Sequence, residues 1–404
     1  MINLEIPKKF VPLVGQAHQV AEEVFRPISR KYDAEEHAYP KELDMLAALI
    51  DGMNDGSDLG GAGAAGVRRT DNGGGAVRNG SNMSTVLGIV ELCWGDVGLL
   101  LSMPRQGLGN SAIASVANDE QLERFRGKWA AMAITEPEAG SDSAAIRTTA
   151  EYDEENDEYV LNGEKIYVTS GERADLVVVW ATLDRAQGRA AIKSFVVERS
   201  NPGLKLDRLE HKLGIRASDT AAFILDDCRV PRENLLGSPE INSTKSFAGV
   251  MQTFDNTRPL VAGMAVGLTR ACLELTQSLL AEAGVEVDYD RPAASQSAAA
   301  AEYLAMESDY EAARLLTLEA AWLADNSKPN SLQASMAKAK AGRTCVDVAL
   351  RCVRLCGSLG YGEELLLEKW ARDAKILDLF EGTQQIQLLI IARQLLGKTS
   401  AELK

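Results

Sequence analysis

The 404-residue chain has an ordinary globular composition, 46% hydrophobic and 25% charged, and is long enough to build several layers around a shared core. Its formal net charge of −15 excludes the concentrated basic stripe that nucleic acid requires, although a local basic pocket remains compatible with it. No uninterrupted apolar run reaches the roughly 20 residues that span a bilayer, and the opening MINLEIPKKFVPLVGQ lacks the apolar core of a signal peptide.

Six cysteines (Cys93, Cys228, Cys272, Cys345, Cys352 and Cys356) form no CxxC pair, so they read as reduced, mostly buried thiols in a cytoplasmic protein. The three histidines, His18, His37 and His211, are scattered. A zinc site or a Ser/His/Asp triad therefore has little to build on. Chemistry here falls to carboxylates, hydroxyls, backbone amides or a cofactor.

Residues 1–50 carry helical periodicity: Val14, His18, Ala21 and Phe25 lie on one stripe, and Leu43, Leu46, Ala47 and Ile50 on another. Between Asp51 and Gly80 come ten glycines and almost no large apolar residue, which predicts a long mobile loop. Within it, GAGAAG at Gly61–Gly66 matches a dinucleotide-binding pattern. That pattern works only between a strand and a helix, and its flanks here fit neither. Helical patterning resumes over Met83–Cys93 and Gly107–Val116.

From Trp129 to Gly237 the text becomes strand-like. Glu158–Val168 holds two apolar stretches around Asn162-Gly163, a hairpin pattern. Leu176–Trp180, Ser194–Val197 and Ala221–Leu225 are further short runs with no helix-length segment between them. An antiparallel barrel or sandwich is expected, not a βαβ sheet. Beyond Gly237, helical segments cover about 247–283, 296–325, 331–356 and 384–396, as a four-helix bundle requires. The expected layout is an N-terminal helical domain (1–130), a middle β domain (131–240) and a C-terminal bundle (241–404).

Three places could carry chemistry. Thr135-Glu-Pro-Glu-Ala-Gly-Ser141-Asp142 presents hydroxyls on flexible backbone, suited to an oxygen-rich ligand; an elaborate surface turn accounts for it equally well. Tyr167 and Thr169 share one strand face by period-two alternation. A flat heteroaromatic ligand or plain core packing would each explain that pair. In Leu379-Phe380-Glu381-Gly382-Thr383, a lone carboxylate follows an apolar stretch, so burial would raise its pKa toward that of a general base. An acidic residue placed by a helix dipole is the competing explanation.

Five ordered blocks add to these readings: MAITEPEAGSD at 132–142, LNGEKIYVTSGERAD at 161–175, KLGIRASDTAAFILDDCRVPRENLLG at 212–237, FDNTRP at 254–259 and WARDAKILDLFEGTQQIQ at 370–387. Together they resemble the acyl-CoA dehydrogenase family over nearly the whole chain, in the style of its actinobacterial members. The resemblance implies the α, β, four-helix-bundle order and bound FAD. It implies that Met132, Ile134, Thr135, Gly140 and Ser141 hold the flavin. Tyr167 stands where a tryptophan usually faces the ring, and Thr169 where a threonine does. Thr383 and Gln385 match contacts to the adenosine half, while Gln296, Arg354 and Gly357 match cofactor contacts from the bundle.

Ser141, Asp255, Thr257, Arg258 and Gly382 match substrate positions. By the same resemblance Glu381 is the catalytic base in α,β-dehydrogenation of an acyl-CoA to a trans-2-enoyl-CoA, with an electron-transferring flavoprotein reoxidising the flavin. Some family members place the base at the position of Thr257, where threonine cannot serve. The usual bundle arginine that binds FAD phosphate across a subunit interface is missing from Ala281–Asp290, and the family's glycine-rich loop reads Arg354-Leu-Cys-Gly-Ser-Leu-Gly360. Arg291 or Arg354 compensates, or the partner subunit of a homo- or hetero-oligomer is a different chain. Two rival readings stay open: a same-fold oxidase or monooxygenase, marked by peroxide formation, and a non-catalytic subunit.

Overall fold

The computed structural model describes residues 6–54, 80–104, 108–241, 248–399 and 402. The Gly61–Gly66 segment, and all but the ends of the expected loop at 51–80, lie outside the described residues. The first layer is helical: α1 (Val11–Val20) continues through a π-turn into α2 (Arg26–Ala34), followed by α3 (Glu42–Asn54), α4 (Ser81–Gly95), α5 (Val97–Ser102), α6 (Leu108–Val116) and α7 (Asp119–Arg124). The predicted stripes supply its core, with Ala21, Phe25, Leu43, Leu46 and Ala47 buried.

Seven strands follow: β1 (Ala130–Ala133), β2 (Thr149–Asp153), β3 (Glu158–Thr169), β4 (Leu176–Thr182), β5 (Ile192–Glu198), β6 (Leu204–Leu209) and β7 (Thr220–Pro231). They form one sheet in the order β1-β4-β2-β3-β7-β6, with β5 also on β4. Most pairings are antiparallel, as expected, but β1 runs parallel to β4 and β2 touches β4 in parallel at Thr149. No hairpin forms at Asn162-Gly163. β7 pairs with β3 on both sides of that dipeptide, so the register shifts there and the strand continues. The Asn162 side chain instead accepts from the Asp227 amide at 2.9 Å.

The third layer contains α8 (Ala248–Glu282), α9 (Ala298–Asp325), α10 (Ser331–Cys356), the short α11 (Ser358–Tyr361), α12 (Leu367–Leu379) and α13 (Gln384–Leu396). The stretch Thr257–Glu282 of α8 is long and apolar enough to cross a membrane, yet its most apolar window is 72% buried in the fold, as a central bundle helix must be. One core cluster joins α4 and α5 to α8, α9, α10 and α12. The ends of the bundle are closed by side chains: Asp325 accepts from the Gly80, Asn82 and Met83 amides at 2.8–3.0 Å, capping the start of α4.

Helix α12 was not foreseen, because its apolar positions are interleaved with charges. Those charges are internal. Lys369 Nζ lies 2.6 Å from both Asp96 Oδ2 and Asp373 Oδ2, and all three side chains are at most 1% exposed. Asp96 caps α5 through the Leu99 amide at 2.8 Å, and Asp373 accepts from the Ile215 amide at 2.5 Å. One ammonium thus joins the N-terminal helices, the β layer and the bundle. Gly214 makes the approach possible, since a Cβ there would sit 2.5 Å from the Arg372 carbonyl carbon. Arg372 adds a paired contact to Asp33 at 2.6 and 2.9 Å.

Removing the cation would leave two carboxyl groups buried together. Lys369→Met is therefore expected to destabilise the fold by roughly 3–5 kcal/mol, read from denaturant midpoints. The triple variant Asp96→Asn/Lys369→Met/Asp373→Asn should recover part of that loss. Wild-type stability in Lys369→Met would remove this cluster from its place at the domain junction.

Candidate active site

Glu381 sits between α12 and α13 with φ 58°, in the left-handed region that a glutamate enters only under constraint. The constraint is visible. Gln387, fully buried on α13, donates from Nε2 to the Glu381 carbonyl at 3.0 Å and the Gly382 carbonyl at 3.2 Å. Lys338, from α10, donates to the Gly382 carbonyl at 2.7 Å. Gly382 has φ 91°, and a Cβ there would meet Gln387 Nε2 at 2.5 Å, so both backbone shape and space require glycine.

The turn aims the carboxylate into the protein. Oε2 accepts from Thr257 Oγ1 of α8 at 2.8 Å, while Oε1 is sealed from solvent with no hydrogen-bond partner among the described residues. Burial pushes the Glu381 carboxyl above its ordinary value, against the hydrogen bond from Thr257 and the positive charges of Arg258 and Lys338. The same burial lowers Lys338 to about 8, opposed by Asp378 and Glu381. The helix-dipole explanation of Glu381 fails here: Thr383 caps α13 by accepting from the Ile386 amide, and Glu381 precedes it. Arg258, like Thr257, is almost fully buried; the side chain of Asp255 lies outside the described residues.

A second group of expected residues gathers on the β layer. The Ile166 amide donates to the Thr135 carbonyl at 2.9 Å, which fastens the segment carrying Met132, Ile134 and Thr135 to the strand carrying Tyr167 and Thr169. Glu136 reinforces this from beneath. It is buried, 2.6 Å from the fully buried Lys165 ammonium, and also accepts from the Arg147 and Thr148 amides. Above this clamp Tyr167 is 62% exposed with φ 58°. Thr169 is half-buried, while Gly140 and Ser141 are exposed. An open aromatic ring beside hydroxyls and bare backbone fits a flat heteroaromatic group with an oxygen-rich tail.

None of the remaining expected positions makes a hydrogen bond to Glu381 among the described residues. Gln296 accepts from the Asp288 amide and donates to the Asp288 and Arg291 carbonyls, closing its own loop. Arg354 pairs with Glu302 while its side chain stays 68% exposed; Gly357 ends α10 at φ 55°. Arg291 donates to the Ser295 carbonyl at 2.8 Å. Gln385 is exposed. Sequence reasoning missed Lys338 and Gln387. The clue to Lys338 was its spacing: with Ala334, Ala341 and Cys345 it forms one buried helical stripe, where a lysine has no place without a partner.

Comparison with known proteins identifies the family to which this fold belongs. The acyl-CoA dehydrogenase middle-domain model matches residues 131–228, and the C-terminal-domain model residues 247–396. The short-chain specific acyl-CoA dehydrogenase of Rattus norvegicus mitochondria is 33% identical over 98% of this chain and 92% of its own. An acryloyl-CoA reductase (NADH) of Anaerotignum propionicum is 30% identical over 95% and 93%. The solved structure of butyryl-CoA dehydrogenase from Megasphaera elsdenii superposes with a TM-score of 0.83 at 28% identity, covering 98% of this chain and all of that one. At these identities and coverages, with both domain models matched, the chain belongs to the acyl-CoA dehydrogenase family of oxidoreductases.

Proposed function

We propose that the protein removes the α-proton and β-hydride of an acyl-CoA thioester to give a trans-2-enoyl-CoA, with Glu381 as the base. The observation that carries this reading is the buried Glu381 Oε1, which has no hydrogen-bond partner among the described residues although Oε2 is held by Thr257. A carboxylate fixed by one oxygen presents the other to a substrate proton, and burial brings its basicity closer to neutrality. Thr257 occupies the position that supplies the base in some relatives. Here it touches Glu381, so the two alternative base positions converge on one point and threonine orients the carboxylate.

The thioester carbonyl must be stabilised as enolate charge develops. The Glu381 backbone amide is the protein donor for that oxygen, held in place by the turn that Gln387 and Lys338 lock. FAD is the cofactor that the β-layer surface fits, and when bound it supplies the acceptor for the β-hydride. Thr135, Ser141, Tyr167 and Thr169 would hold its ring end, Thr383 and Gln385 its adenosine half. An electron-transferring flavoprotein is the expected electron acceptor in turn. The names of the relatives, short-chain, butyryl and acryloyl, put short acyl chains first among substrates to test.

Glu381→Gln should keep flavin and CoA-ester binding while lowering turnover of a butyryl-CoA-type substrate by roughly 10²–10⁴-fold, followed with an artificial electron acceptor. Near-normal turnover would assign the proton to another group, and peroxide release without an added acceptor would favour the oxidase reading.

The base works only when ionised, and its carboxyl lies above the ordinary value of 4.5. Activity is thus expected to fall as pH drops through a point above 4.5. Lys338→Met removes a cation that favours the ionised form, so this acidic limb should move to higher pH. Lys338→Arg should keep it near the wild-type position. An unmoved limb in Lys338→Met would mean that Lys338 does not act on Glu381.

Family flavins lie near subunit interfaces, and the exposed guanidinium of Arg354 is the replacement we assign to the missing bundle arginine. Losing a charge-assisted phosphate contact weakens binding by about 1.5–3 kcal/mol, roughly one to two decades. Arg354→Ala should lower flavin affinity by that amount in a homo-oligomer. Unchanged affinity there, with loss in Arg291→Ala or a gain on co-expression with a homologous chain, would move the contact to Arg291 or to a different partner subunit.

A further inference from the structure

Two of the three histidines in the chain meet where the helical and β layers join, far apart in sequence. His37 follows α2 and His211 follows β6, and their ring centroids are 5.0 Å apart. Glu36 lies with them. Its Oε2 is 2.9 Å from His211 Nδ1, and its Oε1 accepts from the Lys212 amide at 2.9 Å. One donor atom from each of Glu36, His37 and His211 falls within 4.8 Å of the others.

His37 is the residue that ordinary packing leaves unexplained. It adopts φ 70°, outside the region that histidine prefers, and both of its ring nitrogens are shielded from water without a hydrogen-bond partner among the described residues. A shielded imidazole normally uses at least one nitrogen. Its strained backbone and idle nitrogens beside a carboxylate and a second imidazole share one explanation, a ligand that accepts nitrogen lone pairs. We infer that Glu36, His37 and His211 form a binding site for a borderline divalent transition-metal ion, of which Zn²⁺ is the type.

The donor set matches that choice. Two imidazoles and one carboxylate are a common three-ligand combination for zinc, with water completing the tetrahedron. Ligands about 2.0–2.1 Å from zinc stand roughly 3.4 Å apart in a tetrahedron, so the Glu36–His211 edge is nearly in place and the longest edge must contract by about an ångström or more. His211, 83% exposed in its side chain, gives access from solvent and the freedom to make that move. An ion would take the place of the hydrogen bond between Glu36 and His211. The nearest opposing charge is Lys212, whose ammonium is engaged by the Ser218 carbonyl at 2.8 Å.

An ion held here would tie the segment after α2 to the segment after β6, independently of catalysis. The test is calorimetric titration of the EDTA-treated full chain with ZnCl₂, with the absorption spectrum of the Co²⁺ form to report coordination. The site predicts about one equivalent bound, a four-coordinate Co²⁺ spectrum, and affinity at least about tenfold weaker in His211→Ala and in Glu36→Gln. Both substitutions alter exposed or half-buried positions. His18→Ala, whose imidazole is already committed to Glu91 at 2.9 Å, should bind as wild type. Absence of binding in the wild type, or equal binding by His211→Ala, Glu36→Gln and wild type, would overturn the site.

Discussion

The three layers of this protein meet at a single buried ammonium. Lys369 is the charge between Asp96, which starts a helix in the first layer, and Asp373, which receives a backbone amide from the second. Such a cluster adds little net stability over a well-packed apolar one. What it adds is definition. Apolar surfaces tolerate sliding and rotation, whereas two carboxylates around one cation, each also bound to a named amide, admit one arrangement. Arg372 with Asp33, and Gly214 against the α12 backbone, extend the same joint outward.

The electrostatics around Glu381 follow a related logic with the opposite balance. Here burial outweighs the hydrogen bond and the neighbouring cations, so the carboxyl is left above its ordinary value. Lys369 shows the reverse: two carboxylates overcome its burial and raise its pKa. The difference lies in saturation. Both flanking carboxylates accept from Lys369 at 2.6 Å, while Glu381 has one hydroxyl on one oxygen and, among the described residues, no partner for the other. The charge at the junction is surrounded, and the one proposed for chemistry is left incomplete.

Much of the architecture was legible because it depends on periodicity. The spans 331–356 and 384–396 were readable to the residue, since long Ala/Leu stripes with clear breaks leave little freedom. Helix α12 was hidden because its buried face contains Lys369 and Asp373, which pattern reading assigns to solvent. The misread at Asn162-Gly163 came from treating a local turn dipeptide as decisive. The long partner strand β7 overrides it and turns the dipeptide into a register shift. At the candidate site, Glu381 could be singled out from its apolar approach and adjacent glycine, and the five motif blocks supplied a family. Lys338 and Gln387 could not be connected to it, because their contacts run from α10 and α13 to backbone carbonyls, and no side-chain pattern records which carbonyl a lysine will reach.

Helix α12 begins at the junction of the layers and ends at the turn that carries Glu381. Its first turns hold Lys369, Arg372 and Asp373; its last holds Asp378, and Glu381 follows three residues later. The helix is a rigid rod on this length scale, about 1.5 Å per residue, so displacement at one end is delivered to the other. In genetic terms, residues 369–381 form a single target. Lesions along it are expected to share one consequence, a displaced Glu381 turn, whether they act at the junction or beside the turn itself. Screening by activity alone would then group residues that anchor the rod with the carboxylate proposed as the base, and only suppressors at the far end would tell them apart.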